Sequence, residues 1–139
     1  LHAPIGEMAS HEWWSSDGLV CFIDYAKGVF ECNPDTKEIF HVWRRPLCHA
    51  QSTCGRRYFC ADQTPYCWND EQPLKILFYD RANDKEYEIA SALPPPVLPR
   101  DPYHLDPHPH FSPDGSMVVY MTTALNNVDV AISPAKQFL

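Results

Sequence analysis

The chain has 139 residues, 14 of them proline and only 5 glycine, and its 18 acidic side chains outnumber 11 basic ones for a formal charge of −7. Apolar residues make up 45% and aromatics 13%, enough for a packed core and too much for wholesale disorder. The charge balance excludes the clustered Lys and Arg of a nucleic-acid footprint, and no run reaches the roughly 18 apolar residues of a membrane-spanning helix. Neither nucleic acid nor membrane is therefore an expected partner. The start, Leu1-His-Ala-Pro4, has no initiator Met and no basic-then-apolar leader. We read it as a processed end or an internal piece of a longer protein, with a cytoplasmic location as the expectation.

Six cysteines, Cys21, Cys32, Cys48, Cys54, Cys60 and Cys67, contain no C-x-x-C pair, so neither a zinc knuckle nor a thioredoxin-like motif is present. Cys21 and Cys60 lie inside apolar runs, where a thiol behaves as a small buried hydrophobe. The expectation is mostly reduced, structural cysteines.

In chain order, three segments share one pattern: His11-Glu-Trp-Trp-Ser-Ser-Asp-Gly18, His49-Ala-Gln-Ser-Thr-Cys-Gly55 and His108-Pro-His-Phe-Ser-Pro-Asp-Gly115. Each runs from a His through a Gly-closed turn into a β-prone stretch, at 19–25, 57–60 and 116–122. In the Ser-Pro-Asp-Gly turn, Pro113 presets φ and Gly115 accepts a positive φ, which predicts a hairpin. Two more strands follow each of the first two hairpins, at 27–32 and 38–43, then at 74–79 and 86–89. The third copy adds a strand at 127–132 before the chain ends.

Four short antiparallel strands per unit make a β-propeller blade. The expected fold is all-β, about three blades of an incomplete ring, at 9–45, 47–91 and 104–139, with a Pro-rich connector at 92–103 that contains Pro94-Pro-Pro96. Blades of this kind take about 40 residues and a ring needs about four to eight of them. The chain cannot close alone and needs further blades. A small β-sandwich is the competing fold, and the repeating four-strand order speaks against it.

The first strand of each propeller blade lines the central channel, so equivalent positions converge. His11 and His108 each lie seven residues before their turn glycines, Gly18 and Gly115, whereas His49 lies six before Gly55. Alternation along a strand predicts Asp106, His108 and His110 on one face. Imidazoles and a carboxylate meeting at one axis suit a divalent ion. His2 and His41 read as structural, Trp13, Trp14 and Phe111 as core, and Asp17 and Asp114 as turn caps. A G-x-S-x-G elbow, a phosphate-binding Gly loop and an H-E-x-x-H helix are all missing.

These stretches resemble the oligogalacturonate lyases, seven-bladed propellers that cleave pectin fragments with bound manganese. The resemblance rests on His-Glu-Trp-Trp-Ser-Ser-Asp-Gly at 11–18, Cys-His-Ala-Gln-Ser at 48–52 and Asp-Pro-His-Pro-His-Phe-Ser-Pro-Asp-Gly at 106–115. It implies a C-terminal-half fragment with His11, Asp106 and His108 as manganese ligands, Asp106 standing where the family has His. Tyr103 falls on the family's Gln, with His104 as a substitute donor, and a register two residues along pairs His108 with His110. His49, His104 and His110 are thus additional candidates. The implied reaction is β-elimination on an acidic oligosaccharide, with no catalytic base assignable here. The chain alone is then expected to be inactive. The competing function is a non-catalytic TolB- or WD40-like propeller module that binds protein or glycan.

Overall fold

The structure is a computed structural model and describes residues 9–63, 73–94 and 106–138. Among the described residues, eleven strands form three antiparallel sheets in simple sequence order. The first sheet holds β1 (Ala9–Trp14), β2 (Val20–Asp24), β3 (Gly28–Cys32) and β4 (Ile39–Arg44). The second holds β5 (Leu47–Ser52), β6 (Tyr58–Gln63), β7 (Leu74–Asp80) and β8 (Lys85–Leu93). The third has β9 (His110–Phe111), β10 (Met117–Thr122) and β11 (Asp129–Pro134), followed by a short 3-10 turn at Lys136–Phe138. This is an open, partial β-propeller. Among the described residues no helix is long and apolar enough to cross a membrane.

Period-two alternation explains how the sheets stack. Phe59 and Ala61 on β6, with Leu77 and Tyr79 on β7, pack against Ile23, Val29 and Trp43 of the first sheet. The intervening residues Cys60, Ile76 and Phe78 face the other way, onto Val118 and Tyr120 of the third sheet. The middle blade is therefore apolar on both faces. Val130 and Ile132 on β11 are 67% and 62% exposed, so among the described residues no sheet covers the outer face of the third sheet.

The three turns that join first and second strands are built alike. Ser15 N–H donates to Leu19 O, Thr53 N–H to Tyr58 O and Ser112 N–H to Met117 O, each at 2.9 Å. Asp17 and Asp114 cap their turns as expected, each accepting from a serine hydroxyl, Ser15 or Ser112, at 2.6 Å. A left-handed residue closes each turn: Gly18 (φ 84°), Arg56 (φ 52°) and Gly115 (φ 70°). In the middle blade this residue is Arg56 rather than Gly55. Counted from it, His49 lies seven residues upstream, as His11 and His108 do in their blades. The one-residue offset expected for His49 is thereby corrected.

Two other expectations change. Trp14 is 69% exposed and is not a core residue. Asp106, His108 and His110 do not alternate along one strand face, because the chain is not yet a strand at 106–109 and His108 has φ 45°. Cys21, Cys32, Cys54 and Cys60 are free thiols, in line with the reduced reading, but Cys48 is disulfide-bonded. His41 is structural: it stacks on Phe30 at 4.1 Å between ring centroids, and its Nε2 meets Lys27 O at 3.0 Å. His2, Cys67, Tyr103, His104 and most of the Pro-rich connector lie outside the described residues.

Candidate metal centre

Two inner strands, β1 and β5, and the segment that leads into β9 deliver one imidazole each to a common point. Both strands that precede the turns of the first two blades are irregular there. The β1–β2 register shifts between Ser10 and Trp13, and the β5–β6 register between Leu47 and Ala50. His11 and His49 sit inside these irregular stretches. His11 (φ 55°) and His108 (φ 45°) adopt the left-handed backbone that bulky residues avoid. Strain of this kind gathers where a side chain must be aimed.

The result is a compact cluster. The His49 ring lies 4.2 Å from that of His11 and 4.1 Å from that of His108, and His11 and His108 are 6.0 Å apart. His110 stacks on His108 at 4.9 Å. Two buried carboxylates flank the rings. Asp62 Oδ2 accepts from His49 Nδ1 at 2.8 Å, and Asp106 Oδ2 lies 3.7 Å from His49 Nε2. Tyr25 OH meets His11 Nε2 at 2.7 Å. The candidates His11, His49, Asp106, His108 and His110 thus share one neighbourhood.

Sequence reasoning missed Asp62 and Tyr25. Asp62 ends a run of buried residues on β6, and a buried acid within an apolar strand was the available signal. The Cys48 sulfur also lies near His49 and Asp62. Its disulfide removes the thiolate that a metal would need. Neighbouring side chains explain the rest of the Cys-His-Ala-Gln-Ser stretch. Gln51 Oε1 accepts from Phe111 N at 2.7 Å, and Ser52 Oγ accepts from Trp13 Nε1 at 3.1 Å. These bonds stitch the middle blade to both neighbours.

Burial, then the charge of nearby His49, depresses the pKa of His11 and of His110. For His108, burial followed by the charges of His49 and His110 brings the value to about 4. Burial also opposes charging His49, but the Asp62 hydrogen bond and charge, with Asp106, outweigh it and raise its pKa. The cluster is therefore one protonatable imidazole among three that favour the neutral, lone-pair-bearing form.

A stability consequence follows with a definite sign. An unfolded chain would protonate His108 near 6.5, whereas the folded chain does so only near 4. The unfolded state holds the extra proton between those values, so folding stability falls as pH drops from 6.5 to 4. His11 and His110 add in the same direction. His49 acts oppositely, its contribution being complete below 6.5 and lost as pH rises through its folded value. Thermal melts of metal-free protein across this range should show the midpoint falling with acidification, and His108→Gln should flatten the fall. An equally steep profile in that variant would assign the acid lability elsewhere.

No protein-family profile matches the chain, and no curated protein matches it. The likeness is three-dimensional. An oligogalacturonate lyase in complex with manganese matches with a TM-score of 0.72 and 19% identity, covering 91% of this chain and 35% of the lyase. TolB from Acinetobacter baumannii matches at 0.66 and 15% identity, over 92% of this chain and 31% of TolB. An oligogalacturonate lyase from Vibrio parahaemolyticus matches at 0.65 and 18% identity, over 93% of this chain and 36% of the lyase. The chain thus spans about a third of each of these structures. At such identities the shared property is the propeller fold.

Proposed function

We propose that this chain is the metal-holding sector of an oligogalacturonate-lyase-like propeller that acts on pectin-derived uronides. The observation that carries this reading is the meeting of His11, His49 and His108 from three blades, with ring centroids 4.1 to 6.0 Å apart beside two buried carboxylates. The donor set fits a divalent ion of intermediate hardness, manganese by resemblance. Two donors about 2.1 Å from one ion stand roughly 3–4 Å apart. The 3.7 Å between His49 Nε2 and Asp106 Oδ2 lies in that range. His11, Asp106 and His108 are the proposed ligands, with His49 and His110 as further donors.

When bound, the ion would neutralise a uronate carboxylate and acidify the adjacent C5 proton. The chain's own residues prepare for it. Burial keeps the lone pairs of His11, His108 and His110 available at neutral pH, and Tyr25 engages one nitrogen of His11, leaving Nδ1 for a ligand. No described residue is assigned as the base that removes the C5 proton. With a charge of −7 the chain also has little to offer a polyanion apart from the metal. The remaining blades of a longer protein would supply both functions, the first of them stacking on the uncovered β10–β11 face.

Calorimetric titration with Mn²⁺ tests the proposal. The chain should bind one ion, and His11→Ala and His108→Ala should each weaken binding by more than the roughly 10–100-fold loss typical of outer-shell partners. A protein that includes the remaining blades should release an ultraviolet-absorbing unsaturated uronide, and chelation should stop it. The 139-residue chain should release none. Unchanged metal uptake in both variants would dispose of the shared centre. The likeness to TolB favours a second reading, a propeller module that binds protein or glycan without chemistry. Binding that is indifferent to chelation would support it.

A further inference from the structure

Asp62 is 1% exposed, and both of its oxygens are engaged. Oδ1 accepts from the His49 backbone N–H at 2.6 Å, while Oδ2 accepts from His49 Nδ1 at 2.8 Å and from the His108 backbone N–H at 3.0 Å. One carboxylate thus joins the imidazole of the middle blade to the backbone of the third. The left-handed turn of the chain at His108 is what aims its N–H at Asp62. With three donors already satisfied, Asp62 is poorly placed to serve as a ligand itself.

We propose that Asp62 is the positioning residue of the histidine cluster, fixing His49 as its Nδ1–H tautomer with Nε2 presented to the centre and latching His108 beside it. This deepens the metal reading above and rests on it only for the affinity measurement. The physical reason is that a neutral imidazole has one donor and one acceptor nitrogen. A carboxylate at Nδ1 makes that nitrogen the donor, so the lone pair must be on Nε2. Outer-shell carboxylates orient metal-binding histidines in this way. His49 Nε2 faces Asp106, 3.7 Å from its Oδ2, so this nitrogen is the one turned toward the cluster. The same carboxylate sets the separation of two rings that belong to different blades, which no local sequence preference could do.

Asp62→Asn tests this. An amide in that place must turn its NH2 toward one of the three donors, so at least one of these hydrogen bonds is lost. In metal-free wild type held at a pH where His49 is neutral, ¹⁵N NMR should show His49 as a single Nδ1–H tautomer and the His108 amide protected from exchange. A dominant Nε2–H form, or an even mixture, would overturn the proposal. Asp62→Asn should weaken Mn²⁺ binding by roughly 10–100-fold. Affinity of the folded variant within about twofold of wild type would also overturn it. Gln51→Ala is the control, because it removes an inter-blade hydrogen bond, to Phe111 N, without touching an imidazole. It should lower thermal stability while keeping the His49 tautomer and the affinity. An equal loss of affinity in Gln51→Ala would reduce Asp62 to general inter-blade cement. If wild type takes up no Mn²⁺, the metal reading fails, and the tautomer still decides the role of Asp62. The wild-type tautomer also decides it should Asp62→Asn not fold.

Discussion

Replacing Glu31 with Ala should lower stability by about 3 kcal/mol, at the low end of the range for breaking a buried ion pair. Glu31 is 1% exposed on β3, and two cations from the middle blade converge on it. Arg56 Nη1 lies 2.7 Å from Oε2, and Arg81 Nη1 lies 2.9 Å from Oε1. Arg56 also pairs with Asp17 of the first blade. Removing Glu31 takes from Arg81 the carboxylate it pairs with and leaves Arg56 with Asp17. The side chains of Arg56 and Arg81 are 17% and 38% exposed, so they can partly rehydrate, which keeps the cost near the lower bound. For a chain of this size the thermal midpoint should fall by about 10 °C. Arg81→Ala should cost less, because the Arg56 pair survives it. A midpoint for Glu31→Ala within about 2 °C of wild type would show that the ions are not coupled. The consequence reaches the histidines, because Arg56 closes the turn whose inner strand carries His49.

That arginine also explains where the sequence was legible and where it was not. Strand positions could be read because apolar alternation and Gly- or Asp-containing turns act locally, and His11 and His108 could be matched because both blades close their turns with glycine. The middle blade hid its equivalence. Its left-handed residue is Arg56, which bears a side-chain cost that glycine avoids, and its pairs with Asp17 and Glu31 hold it in place. No local pattern announces such long-range pairing. The bridging role of Asp62 was illegible for the same reason, since one of its three donors comes from His108, in the next blade. The expected alternation at 106–110 failed because alternation describes strands, and this segment turns left-handed before its strand begins. The Cys48 disulfide was beyond reach because six cysteines permit many pairings.

Gly28→Ala should be the most damaging small substitution in the first blade, costing about 4 kcal/mol or preventing folding. Gly28 has φ 113°, which strains any side chain-bearing residue. A Cβ there would also run into the Trp43 carbonyl oxygen and stand 2.6 Å from that of Arg45. Both obstacles are backbone, so neither can swing aside. Nor can the strand easily retreat. Trp43 is 2% exposed, stacks on Tyr79 at 4.9 Å, and donates through Nε1 to Glu86, which also pairs with Arg45 at 2.6 Å. Gly18→Ala separates the two causes. Gly18 also has a positive φ, of 84°, but an added Cβ meets nothing within 4 Å, so only backbone strain of about 1–2 kcal/mol is expected. Equal melting temperatures for the two variants would refute the collision. The damage should also extend to the cluster, because the displaced Trp43–Arg45 segment leads directly into β5 and His49. Gly28 lies on the opposite side of the same hairpin from Tyr25, whose hydroxyl meets His11. If the proposed metal centre holds, any folded Gly28→Ala protein should therefore bind Mn²⁺ more weakly than Gly18→Ala, although neither glycine touches an imidazole.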